Sequence, residues 1–467
     1  MPSPSTRPEA VRRAVPRGWI ALLALLAGAV QLALLPPWMG EDEPWHYANI
    51  EHVARGHGGY PAGSSGEFTL DDQRFAPLSH LQTVRRFDGV DRAEAARVER
   101  EILESMRRQA FWRRVDWTGR DDTVESFDLI ERSFSAAHQP PAYYFVAAPI
   151  VYAARHRPVE QRLLGVRVLS LALFVGTALA AYEIARRACG DERGALLAAL
   201  LVALWPTSAH GAAVVSNDVL ARALVALELL LALVWLRAER GGALLGAMVV
   251  VAALALLTKT TAASALAIVA LALLLRPGGF ARLRVTLLGL AVLGVVASVG
   301  VLAWIDAHNP AVPSGLQTAA QRLTLGLRPV NLRGLLDSFV GSFNWEGRPL
   351  PRALATLWGG VFGAGLAAGM ASLLRAETTR RRELLLCAGA LFAQFALVVL
   401  RGVGKGRYLM PAFPALAVLF AVGVVVWLPT VRARTTAVRV AVLLLVVFGG
   451  WYAWDGLARE SWLAWRS

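Results

Sequence analysis

Residues 19–50 read WIALLALLAGAVQLALLPPWMGEDEPWHYANI. The first half, Trp19–Leu35, is apolar over nearly the roughly 20 residues that cross a 30 Å hydrocarbon core as a helix. Pro36 and Pro37 break it. Glu41, Asp42 and Glu43 then stand at the membrane–water boundary with His46 close behind. One acid there is an ordinary solvated loop start. Three acids after a proline break, followed by Trp, His and Tyr, form a candidate site. A carboxylate in that place can deprotonate an acceptor hydroxyl that lies within hydrogen-bond reach. Oxygen ligands also suit a divalent cation such as Mg2+, Mn2+ or Ca2+, for which Asp42 and Glu43 are the candidate ligands.

The apolar pattern recurs along the chain. Apolar residues make up 56% of 467, and mean hydropathy is +0.47, against roughly 45–50% apolar in soluble domains. The expected fold class is an all-α polytopic membrane protein of about 11 transmembrane helices. Spans are expected near 19–37, 163–186, 194–210, 219–236, 241–258, 261–275, 284–305, 355–374, 383–400, 410–429 and 439–455. The stretch 142–154 is short for a span and suits a re-entrant or juxtamembrane segment. The net charge of +14 is nearly all arginine, with Lys259 and Lys405 the only lysines. These arginines cluster in short loops between apolar blocks, where they set membrane orientation, so a nucleic-acid partner is not expected.

Arg7, Arg12, Arg13 and Arg17 put the N-terminus, 1–18, in the cytoplasm. The loops holding Arg186/Arg187/Arg193, Arg237/Arg240, Arg276/Arg282/Arg284, Arg375/Arg380/Arg381/Arg382 and Arg432/Arg434/Arg439 also fall inside if 142–154 does not cross. The first span, 19–37, then opens a large extracytoplasmic loop, 38–141, and a second outer loop occupies 306–352. The bundle is divided into 142–305 and 353–467. Within the first loop, 91–114 is expected to be an amphipathic helix along the membrane surface, with Val98, Ile102, Met106 and Ala110 on one face. Cys189 and Cys387 give neither a metal spacing nor a disulfide framework.

Further candidates lie on the expected outer side. His138–Tyr144 reads HQPPAYY; its prolines suit a helix start and its tyrosines an interfacial belt or pocket wall. Ser216-Asn217-Asp218 reads as a helix cap or as pocket polar groups. Lys259, between two apolar runs, either snorkels or meets a phosphate. Arg401–Tyr408, RGVGKGRY, sets three cations among glycines on the side where cations are scarce, which makes Lys405 and Arg407 the best anion site. Asp337–Pro351 offers Trp345 and Phe343 for a sugar ring or for anchoring.

At these residues the chain resembles the type-C (membrane-embedded, polyprenyl-phosphate-dependent) glycosyltransferases, and within them a branch of mostly uncharacterised bacterial multi-span proteins. That branch shows an Asp-Glu-Pro-x-His element, matched by Asp42, Glu43, Pro44 and His46. It has a His-x-Pro element before Tyr-Tyr, matched by His138, Pro140, Tyr143 and Tyr144, and a Ser-x-Asp element at Ser216 and Asp218. A mid-chain lysine is matched by Lys259, and an aromatic outer loop ending in Leu-Pro by Phe339–Pro351. A Gly-Arg-Tyr-x-x-Pro element is matched by Gly406, Arg407, Tyr408 and Pro411. The resemblance covers nearly the whole chain, in order. It implies transfer of a sugar from a polyprenyl-phosphate donor to an extracytoplasmic acceptor, in the plasma (cytoplasmic) membrane, at an outward-facing site. It casts Asp42, with Glu43 second, as catalytic or metal-coordinating, and Arg407, Lys405 and Lys259 as phosphate ligands. His46, His138, Tyr143, Tyr144, Asp218, Trp345 and Tyr408 would line the pocket. The rival class is a transporter, flippase or assembly protein for lipid-linked envelope precursors. Transporters often carry inverted repeats, and no internal repeat is visible here.

Overall fold

The computed structural model describes residues 17–40, 42–55, 139–239, 241–276, 332–341, 352–401 and 405–453, with 101–102, 104–106 and 108–109 of the first long loop. Every regular element among them is helical. In order they are α1 (Arg17–Leu34), α2 (Glu43–Ala54), α3 (Ala142–Ala153), α4 (Val159–Cys189), α5 (Glu192–Leu204), α6 (Pro206–Gly211), α7 (Asn217–Arg237), α8 (Gly242–Thr258), α9 (Ser264–Leu275), α10 (Leu332–Val340), α11 (Arg352–Ser372), α12 (Thr378–Arg401), α13 (Phe413–Trp427) and α14 (Val431–Ala453). Two 3-10 turns, Thr260–Ala263 and Gly406–Ala412, lead into α9 and α13.

Among the described residues five stretches are long and apolar enough to cross a membrane: Arg17–Leu34, Val159–Cys189, Asn217–Arg237, Thr378–Val399 and Gly406–Trp427. That is fewer than the spans expected from hydropathy. Part of the difference is physical: the expected span 194–210 breaks at Trp205–Pro206 into α5 and the short α6. Proline cannot continue the hydrogen-bond ladder of the preceding helix. The expected spans 241–258 and 261–275 are parted at Lys259 as expected, but the helices on either side are shorter apolar helices. The expected span 284–305 lies outside the described residues.

The 31 residues of α4 would run roughly 46 Å at 1.5 Å per residue and define two ends. At its C-terminal end Glu183 binds Arg17, Arg186 and Arg187. Arg380 donates to the carbonyls of Ala188 and Cys189 at 3.0 and 2.9 Å, and Arg434 pairs with Asp191 at 2.8 Å. Arg237 pairs with the buried Glu383. The arginines of these loops that pair here therefore gather at one end, where several also satisfy the last carbonyls of helices. At the opposite end of α4, Arg162 and Arg167 reach α2 and the chain leaving α1.

Residues around α3 are tied to that second end. Tyr144 near its start contacts His46, and Arg162 soon after its finish pairs with Glu51, both residues of α2. The segment thus packs beside α2. In the first loop, the described residues of 101–109 are mostly helical, and Ile102 and Met106 are buried in the protein core. These two residues of the expected apolar face pack into the protein core, while Val98 and Ala110 lie outside the described residues. Ser105 explains part of the docking: its Oγ accepts from Trp38 Nε1 at 2.8 Å and donates to Glu160 at 2.7 Å.

Helix α11 meets α13 through small residues. A Cβ on Gly369 would lie 2.1 Å from the Leu419 carbonyl oxygen, and one on Gly423 2.2 Å from that of Gly365. Gly365 and Gly369 form the small-xxx-small spacing that lets helix backbones approach closely in a bilayer.

Candidate active site

The turn between α1 and α2 is strained in a purposeful way. Trp38 and Asp42 both have left-handed backbone, with φ of 70° and 62°. A bulky residue there carries a cost of order 1–3 kcal/mol that its surroundings must offset. Trp38 is fully buried, edge-on to Tyr47 at 5.4 Å. Asp42 occupies the N-cap of α2 yet makes no capping hydrogen bond. Its carboxylate turns instead to Arg407, with Oδ2 3.0 Å from Nη2.

Glu43, next in sequence, has a different environment. It is fully buried. Arg167 donates to it twice, Nε to Oε1 at 2.8 Å and Nη2 to Oε2 at 2.6 Å. The backbone N–H groups of Val215 and Gly40 donate to the same two oxygens at 3.0 and 3.3 Å. Arg167 also donates to the carbonyls of Leu35 and Pro36. One ion pair thus ties α1, α2, α4 and the chain before α7 together. Asp42 and Glu43 do not share a donor set: one faces Arg407 and the other has its oxygens engaged by Arg167 and backbone. Among the described residues no three His, Cys, Asp or Glu side chains are placed to hold a metal.

A third ion pair stands beside that of Asp42 and Arg407. Lys259 Nζ lies 2.7 Å from Asp218 Oδ1 and 3.3 Å from Asn217 Oδ1. Both members are buried. The local reasons are visible: Ser216 caps α7 by accepting from Asp218 N at 3.2 Å, and Lys259 sits where α8 stops in extended backbone. Tyr408 joins the pairs, since the Lys259 ammonium and the Arg407 guanidinium lie 4.9 and 5.1 Å from its ring centre. Gly406 is needed beneath it, because a Cβ there would strike the Leu335 carbonyl oxygen at 2.2 Å and Phe339 N at 2.3 Å.

His46 closes the arrangement. Its Nδ1 is 2.9 Å from the Tyr144 hydroxyl, and its ring stacks on Tyr144 and meets Tyr143 edge-on at 6.5 Å. Burial pushes the imidazole down to about 4, so it is neutral near pH 7. Burial also pushes the Asp42 carboxyl up, but the charge and hydrogen bond of Arg407, with His46 and Lys405, bring it below the ordinary value.

Asp42, His46, Tyr144, Asp218, Lys259, Arg407 and Tyr408 are thus brought together at one end of the bundle. Tyr143 is buried alongside. Lys405 is exposed at the start of the 3-10 turn. His138 and Trp345 lie outside the described residues, although Gln139 reaches the site region by accepting from Asn217 Nδ2 at 3.1 Å. Two contributors were not singled out from sequence. Arg167 is an arginine inside an apolar span, which is itself a signal of a buried partner. Gln394 is the lone amide in LFAQFALVVL. It donates to the carbonyls of Thr261 and Tyr408 at 3.0 and 2.6 Å and accepts from Ser264, joining the two 3-10 turns.

A sequence profile for the family described as "Predicted membrane protein (DUF2142)" matches residues 25–416. The chain belongs to this DUF2142 family. No curated protein matches it significantly. Among solved structures, this DUF2142 member is similar to ArnT from Cupriavidus metallidurans bound to undecaprenyl phosphate, at 16% identity and a TM-score of 0.49, over 94% of this chain and 65% of that one. It is also similar to the archaeal oligosaccharyltransferase AglB from Archaeoglobus fulgidus in complex with an inhibitory peptide and a dolichol-phosphate, at 14% identity and a TM-score of 0.46, over 95% of this chain and 56% of that one. The apo form of the Archaeoglobus fulgidus oligosaccharyltransferase gives 13%, 0.48, 96% and 55%. The chain spans less than two thirds of the length of these proteins.

Proposed function

We propose that this protein is a membrane glycosyltransferase that moves a sugar from a polyprenyl-phosphate donor to a hydroxyl acceptor outside the cytoplasmic membrane. The observation that carries the reading is the 3.0 Å contact of Asp42 with Arg407, beside the Lys259–Asp218 pair. A carboxylate that forgoes capping its own helix is set against cations from two distant parts of the chain. The ordered motifs shared with type-C glycosyltransferases support the same reading. So does the gathering of arginines at the other end of the bundle, which favours a site facing outward.

The chemistry follows from the charges. The acceptor oxygen forms a bond to the sugar's anomeric carbon while the bond from that carbon to the phosphate oxygen breaks. The leaving phosphate takes the electron pair, and the acceptor proton passes to Asp42. A single displacement inverts the anomeric centre. Arg407, Lys259 and Lys405 would stabilise the charge that grows on the phosphate. As Arg407 turns to the phosphate, its hold on Asp42 weakens, and the carboxylate becomes a better base when the donor is bound. Glu43 then serves as the keystone that holds the turn, through Arg167, and not as a base.

Asp42→Asn keeps the shape and removes the base. It is expected to abolish transfer, a loss of at least about a hundredfold, in purified protein supplied with polyprenyl-phosphate sugars, while membrane insertion and melting temperature stay near wild type. Full transfer by this variant overturns the assignment.

A further inference from the structure

Of the three cations first expected to bind phosphate, the two that are not exposed arrive already paired, Arg407 with Asp42 and Lys259 with Asp218. Arg222 is different. It lies one turn after Asp218 on the same face of α7 and is only 8% exposed. Its Nε finds no hydrogen-bond partner, and it makes no ion pair among the described residues. Asp218 and Arg407 are the charged groups near enough to act on it. Its guanidinium lies against Gly211 at the end of α6, where a Cβ would stand 2.5 Å from Nη1 and 3.3 Å from Cζ. A cation buried without a partner is costly and persists where a ligand supplies the missing charge.

We propose that Arg222, cradled on Gly211, is the inner cation of an anion subsite that takes a phosphate group, with Arg407 at its outer side. This deepens the reading above and rests on it for the lipid origin of the phosphate. The two acids of the site neutralise two cations, and the surplus charge left inside is that of Arg222. A phosphate seated there would give the guanidinium the charge-assisted hydrogen bonds it lacks. Glycine at position 211 leaves the guanidinium room to lie across the backbone, a place any side chain would fill.

Binding of undecaprenyl phosphate, of uncharged undecaprenol and of inorganic phosphate to the full chain in nanodiscs tests this. Arg222→Gln is expected to weaken undecaprenyl phosphate binding about tenfold to a hundredfold and to leave undecaprenol binding unchanged. Gly211→Ala keeps the arginine but displaces its flexible end, and is expected to weaken phosphate binding in the same direction with the protein still folded. If Arg222→Gln fails to fold, Gly211→Ala alone decides. Wild-type affinity for the lipid phosphate in folded variants overturns the subsite while leaving the glycosyltransferase reading standing. Binding of inorganic phosphate alone, lost in both variants, supports the subsite and overturns the lipid reading. No phosphate binding by the wild type overturns both.

Discussion

Asp42 and Glu43 are neighbours with opposite fates, and the backbone decides between them. The left-handed turn at Asp42 points its carboxylate to Arg407, while Glu43, the first residue of α2, drops into the bundle onto Arg167. His46 follows one turn later and is buried, with no acid in ion-pair contact among the described residues. Its imidazole, taken by burial to about 4, binds no proton between there and the ordinary value of 6.5, whereas the unfolded chain does. Stability should therefore rise with pH across that window, by up to about 1.4 kcal/mol per unit. The melting temperature of the wild type is expected to fall as the pH is lowered from about 6.5 to about 4.5. His46→Gln should flatten that slope, and an unchanged slope in the variant removes His46 as its source. The acid cluster itself was plain in sequence, because three carboxylates after a proline break are hard to mistake. Which acid faces the site was ranked only by the resemblance, because one backbone dihedral decides it and nothing in the residue types fixes its sign.

At the level of elements, the site is built where helices stop. Lys259 ends α8, Asp218 begins α7 and Arg407 sits in the turn before α13. Gln394 holds two of these stops together across α12. Gln394→Leu would take a donor from the buried Thr261 carbonyl, at about 1–3 kcal/mol, and from the half-buried Tyr408 carbonyl. The expected result is a lower melting temperature and a raised KM for the donor, because Lys259 and Arg407 lose their common tie. A melting shift with donor KM unchanged would reduce Gln394 to a packing role. The stops at Lys259 and at Ser216 were readable from sequence as interruptions of apolar runs and as a cap. The docking of the 101–109 helix was readable only by half. Its apolar face at Ile102 and Met106 follows from periodicity, but periodicity does not say whether protein or lipid covers that face.

Across the whole molecule, the arginine-rich end and the Asp42–Arg407 end lie at opposite ends of α4. The loop arginines announced the first by their spacing alone. The second drew on residues from Asp42 to Tyr408, so only folding could show which of them meet. A phosphate-binding site open to a lipid donor should retain that donor through purification. The most direct measurement is native mass spectrometry of the full chain extracted in mild detergent. The expected result is a bound polyprenyl phosphate or polyprenyl-phosphate sugar in the wild type, depleted in Arg407→Gln. Wild-type protein carrying only bulk phospholipid, even when polyprenyl phosphate is added in excess, would contradict a lipid-phosphate glycosyltransferase.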